Sequence, residues 1–207
     1  MQRLMLATTN PGKVKEFRTL LGQYKRFEGL TLLTPKDWPE RLPEVEETGA
    51  TFAENARLKA VALAQATGMT ALADDSGLCV DALGGEPGLH SARWAGVGVS
   101  DADRNARLRA RLLGVPAERR AARYVCVVSL AGPDGGSIEA EGTCEGAILE
   151  APRGVSGFGY DPLFLVPEFG RTMAELTEEE KNRVSHRAMA LQALLGQEKA
   201  KQLLASV

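Results

Sequence analysis

ALADDSGLCVDALGG, residues Ala71–Gly85, is the stretch around which the rest of the chain is organised. An apolar approach, Ala71-Leu72-Ala73, runs straight into Asp74 and Asp75. Ser76 and Gly77 follow, then a second apolar run, Leu78-Cys79-Val80, and a further acid, Asp81. Two adjacent carboxylates at the end of a buried strand are costly, because like charges repel and burial disfavours both. Such a pair persists where a cation offsets it or where chemistry needs it. Asp-Ser-Gly also reads as a turn, and Gly77 permits close backbone approach. A solvated turn between two strands is therefore the plain alternative to a functional acid pair.

Upstream, Arg3–Ala7 (RLMLA) has the pattern of a short buried strand. It ends in Thr8-Thr9-Asn10-Pro11-Gly12-Lys13, after which Val14, Phe17, Leu20 and Leu21 sit at helical spacing. A polar, glycine-containing turn from strand to helix directs backbone N–H groups and the positive end of the helix dipole outward, which suits phosphate, and Lys13 adds a point charge. An ordinary helix cap at Thr9 or Asn10 accounts for the same residues. The turn is not a Walker loop, since Val14 stands where a hydroxyl is required, and no GxGxxG follows a predicted strand. Leu30–Leu33 reads as a second strand. Glu44, Glu46 and Glu47 form a short acidic cluster closed by Thr48-Gly49. The next helix begins with Thr51 as N-cap and Glu54 at capping-box spacing, carries Asn55 and Lys59 among its polar residues, and ends at Gly68.

Downstream, Asp101–Leu113 reads as an amphipathic helix whose arginines make a solvated face. Arg123–Leu130 (RYVCVVSL) and Ser137–Glu150 pair as a long antiparallel hairpin across Gly132–Gly136. The glycine-rich stretch Pro152–Pro162 carries Phe158, Tyr160 and Asp161, and two aromatics on a loop could stack on a planar ring. After a short strand at Leu163–Val166, a helix is expected over Thr177–Leu195, capped by Thr177. On it, Lys181 and Ser185 are four apart and share a face, with His186 and Arg187 following.

The totals narrow the class. With 207 residues and 44% hydrophobic content, the chain can build one sizeable core or two small lobes. A net charge of −2 leaves no polybasic footprint, so nucleic acid is not an expected partner. Cys79, Cys126 and Cys144 are far apart and no CxxC occurs, which favours reduced thiols in a cytoplasmic protein over a zinc site. There is no long apolar span and no signal-peptide pattern, so neither a membrane nor export is expected.

Taken in order, TTNPGK, EETG with TFAENARLKA, ADDSG with DALGGEPG and SARWAG, GFGYDP, and AELTEEEKNRVSHR resemble one family: the non-canonical purine nucleoside triphosphate pyrophosphatases, the inosine triphosphatase-like or Ham1-like proteins. The likeness runs from about residue 3 to residue 195. It implies an α/β fold, a long mixed β-sheet with flanking helices, as a single domain over residues 1–207 with two lobes and a central cleft for substrate. It also implies a Mg2+-dependent homodimer that cleaves ITP, dITP or XTP to the monophosphate and pyrophosphate by attack of water on the α-phosphorus.

Residue by residue, Glu46 and Asp75 match the family's metal-associated acids, and Asp75 also matches its general base. Thr8, Asn10 and Lys13 match the phosphate-holding turn, and Lys59 belongs with them. Thr9 stands where the family usually has glycine: if that position needs positive φ, Thr9 is strained, and otherwise its hydroxyl can donate to phosphate. Ser76 matches a substrate contact beside the catalytic acid. Phe158 would stack on the purine, with Gly159, Tyr160 and Asp161 completing the base pocket. Lys181, Ser185, His186 and Arg187 match the segment that reads the base. A 6-keto oxygen accepts hydrogen bonds where adenine presents an amino donor, so donors from His186 or Arg187 would discriminate between them. Two other functions fit the same residues: a related pyrophosphatase with another modified-base preference, such as a pyrimidine, and a nucleotide sensor without turnover.

Overall fold

The computed structural model describes residues 2–96 and 98–205. Its first strand, β1 (Arg3–Leu6), is buried in all but its first residue. It hands over to α1 (Pro11–Gly22), capped by Asn10, whose side-chain oxygen accepts from the N–H groups of Gly12 and Lys13. Pro11 takes the first helical position, where its missing N–H costs nothing. β2 (Thr31–Leu33) lies parallel to β1, with Leu4 opposite Leu32. α2 (Phe52–Thr67) starts at Thr51, whose hydroxyl accepts from the Glu54 N–H, and stops at Gly68 with φ of 67°. The remaining elements are β3 (Ala71–Val80), α3 (Asp101–Arg111), β4 (Ala121–Ala131), β5 (Ser137–Ile148), β6 (Phe164–Val166), β7 (Arg171–Thr172), α4 (Glu178–Val184), α5 (His186–Gly196) and α6 (Glu198–Leu204).

Hydrogen bonds join the seven strands in the order β2-β1-β3-β4-β5-β6-β7. β1 is parallel to both of its neighbours, while β5, β6 and β7 run antiparallel, so the sheet is mixed, as the family resemblance implies. No helix of the described residues is long and apolar enough to cross a membrane.

The chain divides into two compact units. One takes the chain up to Asp75, Cys126–Gly142 and the chain from Arg187 onward; the other takes Ser76–Val125 and Thr143–His186. Each has its own core. In the first, strand alternation sorts the side chains to two faces. Leu4, Leu6 and Leu72 pack with Phe17, Leu20 and Leu21 of α1 and Leu191 and Leu194 of α5. Met5, Ala7, Ala71 and Ala73 pack with Ala60, Leu63 and Ala64 of α2. In the second unit, Leu78, Val80, Leu108, Tyr124, Ile148, Tyr160, Phe164 and Met173 form one cluster.

Two sequence expectations are corrected. β3 does not turn at Asp-Ser-Gly; it runs unbroken from Ala71 to Val80. The straight path is possible because Gly77 has no side chain: a Cβ there would lie 2.2 Å from the Gly88 carbonyl oxygen. The helix expected over 177–195 is two helices, broken at Ser185, whose ψ of 144° is extended. Ser185 closes α4 and directly precedes α5, a position serine favours because its hydroxyl competes for backbone groups. Lys181 and Ser185 stay joined by the last turn of α4, where the Ser185 N–H donates to the Lys181 carbonyl at 2.8 Å.

Candidate active site

The site grows from the register of β1 and β3. Leu6 lies opposite Leu72, so the turn after β1 arrives beside Asp74. Neighbouring residues of a strand face opposite ways. Asp74 consequently follows Leu72 toward α1 and α5, and Asp75 follows Ala73 toward α2. This parity is how two adjacent carboxylates coexist: each has its own face and its own cations.

Asp74 is fully buried. Its Oδ2 lies 2.9 Å from Lys13 Nζ and 3.2 Å from Arg187 Nε. Arg187 in turn reaches Glu16, one turn beyond Lys13 on α1, with Nη1 2.7 Å from Oε2. Burial opposes ionisation of Asp74, but Lys13, Arg187 and Lys59 overcome it and hold the carboxyl far below the usual range. Burial likewise opposes the charge on Arg187, and Glu16 and Asp74 outweigh it.

Asp75 sits on the other face. Asn55 donates to its Oδ2 at 3.2 Å, and Lys59 Nζ donates to its Oδ1 at 3.1 Å. The same ammonium lies 2.9 Å from Glu47. Asn55 also accepts, at 2.8 Å, from the N–H of Gly49, which ties the acidic loop to the helix that holds Asp75. A Cβ on Gly49 would stand 2.7 Å from the Asn55 oxygen, so glycine is needed for this clamp. Burial pushes the Asp75 carboxyl above its usual range, with Glu47 adding to the push, against the pull of Lys59 and Lys13. Burial works against the Lys59 ammonium too, yet Asp75, Asp74 and Glu47 raise it above its ordinary value. A basic, hydrogen-bonded carboxylate beside a held cation can accept a proton from water.

Glu46, the expected metal acid, is exposed, and among the described residues nothing engages its carboxylate; its neighbour Glu47 is the acid held near Asp75. Thr8 Oγ1 accepts from the Asn10 N–H at 3.2 Å, so the turn is braced by its own side chains. Among the described residues no non-glycine residue has positive φ, so Thr9 is unstrained. Thr8 and Thr9 line a cavity of about 370 Å3 with Lys15, Arg18 and Lys36. Ser76 is half-buried in β3.

A second set of expected residues clusters within the other unit. Asp161 Oδ2 accepts from Lys181 Nζ at 2.9 Å and from the Phe158 N–H at 3.1 Å. The Lys181 ammonium also lies 5.4 Å from the centre of the Phe158 ring. Gly159 is held by α3: its N–H donates to Asp101 at 2.6 Å, and its carbonyl accepts from Asn105 at 2.7 Å. Tyr160 is a core residue, 3% exposed, with its hydroxyl donating to the Ser91 carbonyl; only Phe158 of the two loop aromatics remains partly accessible. Ser185 and His186 are buried, and the His186 ring stacks on Tyr124.

Sequence reading gave no site role to Glu16, Glu47, Asn55, Tyr124, Asp101 or Asn105. Some signals existed. Glu16 lies one helical turn from Lys13, and Asn55 sits inside a helix, where an amide is disfavoured unless it is bonded. On α3, Asp101 and Asn105 brace the glycine-rich loop.

The sequence model of the Ham1 family matches residues 4–197. The chain belongs to the Ham1 family. It is 55% identical over 193 residues to a dITP/XTP pyrophosphatase of Thermus thermophilus, covering 93% of this chain and 90% of that protein. It is 51% identical over 194 residues to a dITP/XTP pyrophosphatase of Geobacillus kaustophilus, covering 94% and 93%. Among solved family structures, the Staphylococcus aureus Ham1 protein superposes with a TM-score of 0.81 at 39% identity, with both chains covered in full. A HAM1 protein from Coxiella burnetii gives 0.82 at 37%, again over both whole chains.

Proposed function

We propose that this Ham1-family protein is a nucleoside triphosphate pyrophosphohydrolase that clears dITP, ITP and XTP. The observation that carries the reading is Asp75: a buried, proton-avid carboxylate oriented by Asn55 and Lys59. Asp75 takes a proton from a water whose oxygen attacks the α-phosphorus. The bond from that phosphorus to the bridging oxygen breaks, pyrophosphate leaves with the electron pair, and the monophosphate remains. Lys13 and Lys59 hold the polyphosphate, and the Thr8–Lys13 turn orients it; positioning and charge neutralisation do most of the work in phosphoryl chemistry.

The residues present fit a divalent metal. Four carboxylates, Glu16, Glu47, Asp74 and Asp75, face three cations, Lys13, Lys59 and Arg187, so a polyanion entering here needs further positive charge. Oxygens of Glu47 and Asp75 both lie within 3.1 Å of one ammonium, so two hard donors already converge on one positive centre. Asp75 with the Glu46–Glu47 pair would hold Mg2+, which keeps several waters and takes few carboxylates. When bound, the metal would neutralise phosphate charge.

The Phe158–Asp161 loop and the Lys181–Arg187 segment read the base. Phe158 offers a ring face for stacking. His186 supplies a donor toward a 6-keto oxygen, while Arg187 commits Nε and Nη1 to carboxylates. A homodimer in the cytoplasm is the setting that the family resemblance implies. The test is pyrophosphate release from ITP, XTP, dITP and GTP at equal concentration, with and without Mg2+. Metal-dependent release from the first three with GTP slow supports the reading. Orthophosphate as the product moves the attack to the γ-phosphorus and refutes it, and no release from any of them leaves a nucleotide-binding protein.

A further inference from the structure

Nothing in the sequence around Tyr124 sets it apart from its strand; its surroundings do. The residue lies on β4, 7% exposed. Its ring lies nearly flat on the His186 imidazole, with centres 4.7 Å apart and planes 12° from parallel. Phe164 holds the phenol ring in turn, at 4.5 Å and 42°. The hydroxyl donates to Asp161 Oδ1 at 3.1 Å. The other oxygen of that carboxylate receives Lys181 and the Phe158 N–H. One phenol therefore touches two of the side chains expected to face the purine.

Each contact fixes a direction. The N–H of an imidazole lies in the ring plane, so whatever sets the plane sets where the donor points. A carboxylate has about four acceptor positions on two oxygens. With two donors on one oxygen and the Tyr124 hydroxyl on the other, three of these positions are filled and the fourth is on the oxygen that Tyr124 holds, so Asp161 is poorly placed to accept from an exocyclic amino group. GTP carries such a group at position 2, and ITP and XTP do not.

We infer that Tyr124 is a positioning residue for base selection: its ring fixes the plane of His186, and its hydroxyl keeps Asp161 engaged and so unavailable to the guanine amino group. The inference rests on the reading of the Lys181–Arg187 segment as the base reader. It concerns choice between bases, and it leaves the chemical step to Asp75.

The experiment measures kcat/KM for ITP and GTP in the wild type, Tyr124→Leu, Tyr124→Phe, His186→Gln and the Leu/Gln double variant, each checked for folding by circular dichroism. Tyr124→Leu should lower the ITP-to-GTP ratio by about tenfold or more, chiefly through a higher KM for ITP. The double variant should lose no more ITP efficiency than His186→Gln alone, because the ring acts through that imidazole, while its GTP efficiency rises because the hydroxyl on Asp161 is gone. Tyr124→Phe keeps the stack, so it should recover most of the ITP efficiency lost in the leucine variant while GTP efficiency rises above wild type. Equal losses for both nucleotides, or additive losses of ITP efficiency in the double variant, overturn the inference. If Tyr124→Leu does not fold, Tyr124→Phe decides alone: a GTP efficiency that does not rise relative to ITP overturns it. A wild type with no preference for ITP removes the base-reading segment and this inference together, and that outcome is seen before any variant is made. A selective wild type whose ratio survives Tyr124→Leu overturns only the inference.

Discussion

Asp74→Asn should cost stability rather than chemistry. The substitution keeps the shape of the side chain and removes its charge. In the wild type, Oδ2 lies 2.9 Å from Lys13 Nζ and 3.2 Å from Arg187 Nε, with no exposure of the aspartate side chain. Removing one partner of a buried ion pair costs about 3–5 kcal/mol, because the remaining charge stays buried. Two features place the cost near the lower end, about 3 kcal/mol: Arg187 keeps Glu16 at 2.7 Å, and the Lys13 side chain is 16% exposed and can recruit water. For a chain of this size, that is a fall in Tm of about 6–12 °C. In urea, with a slope of about 3 kcal/mol per molar, the midpoint falls by about 1 M. The assay is urea unfolding followed by circular dichroism at pH 7, with the slope required to stay constant. A second arm uses pH. Because the folded carboxyl is held far below its unfolded value, its stabilisation is complete above the unfolded pKa and is lost as pH falls toward the folded one. The gap between wild type and variant should therefore close below about pH 4. A variant within about 0.5 kcal/mol of wild type at pH 7, or a gap that ignores acid, refutes the reasoning.

The same isosteric change one residue later should do the reverse. Burial raises the folded Asp75 carboxyl, and Lys59 keeps Glu47 when the Asp75 charge is removed, so Asp75→Asn should cost less stability in urea than Asp74→Asn. Its turnover should fall by about 100- to 10,000-fold, and comparable activity would remove Asp75 from the role of base. Gly49→Ala forces a Cβ to within 2.7 Å of the Asn55 amide oxygen and loosens the acidic loop. A higher Mg2+ concentration for half-maximal rate is expected, and an unchanged metal titration would count against the clamp. Gly157→Ala meets both a φ of 80° and a Cβ 2.1 Å from Asp161 Oδ2. Displacing Asp161 from Lys181 should raise KM for ITP more than it lowers kcat, and equal changes would separate this loop from binding.

Much of this was legible in the chain itself. The hairpin of β4 and β5, the Thr51 cap and the strand-to-helix turn at Asn10 all follow from local patterns that tertiary context did not override. The acid pair was half legible. Adjacent residues of a strand must part to opposite faces, but using that rule requires knowing that β3 passes through Asp-Ser-Gly without turning, and only the close approach of Gly88 to Gly77 reveals it. The break at Ser185 escaped because α4, EEEKNRV, has no buried apolar residues whose spacing could mark its end. Partnerships such as Arg187 with Glu16, 171 residues apart, were not readable at all. They depend on which helix each strand register brings alongside, a property of the assembled sheet rather than of any segment.

The course of the backbone through the two compact units has an evolutionary consequence. Each unit is stitched from separate stretches, and the four crossings fall after Asp75, Val125, Gly142 and His186. Neither unit corresponds to one uninterrupted piece of gene. Neither can be borrowed, duplicated or exchanged by recombination at a single breakpoint, because each is interrupted by stretches of the other. Exchange of either unit between two such proteins would need all of those crossings cut and rejoined at once, so the order of stretches along the chain resists shuffling.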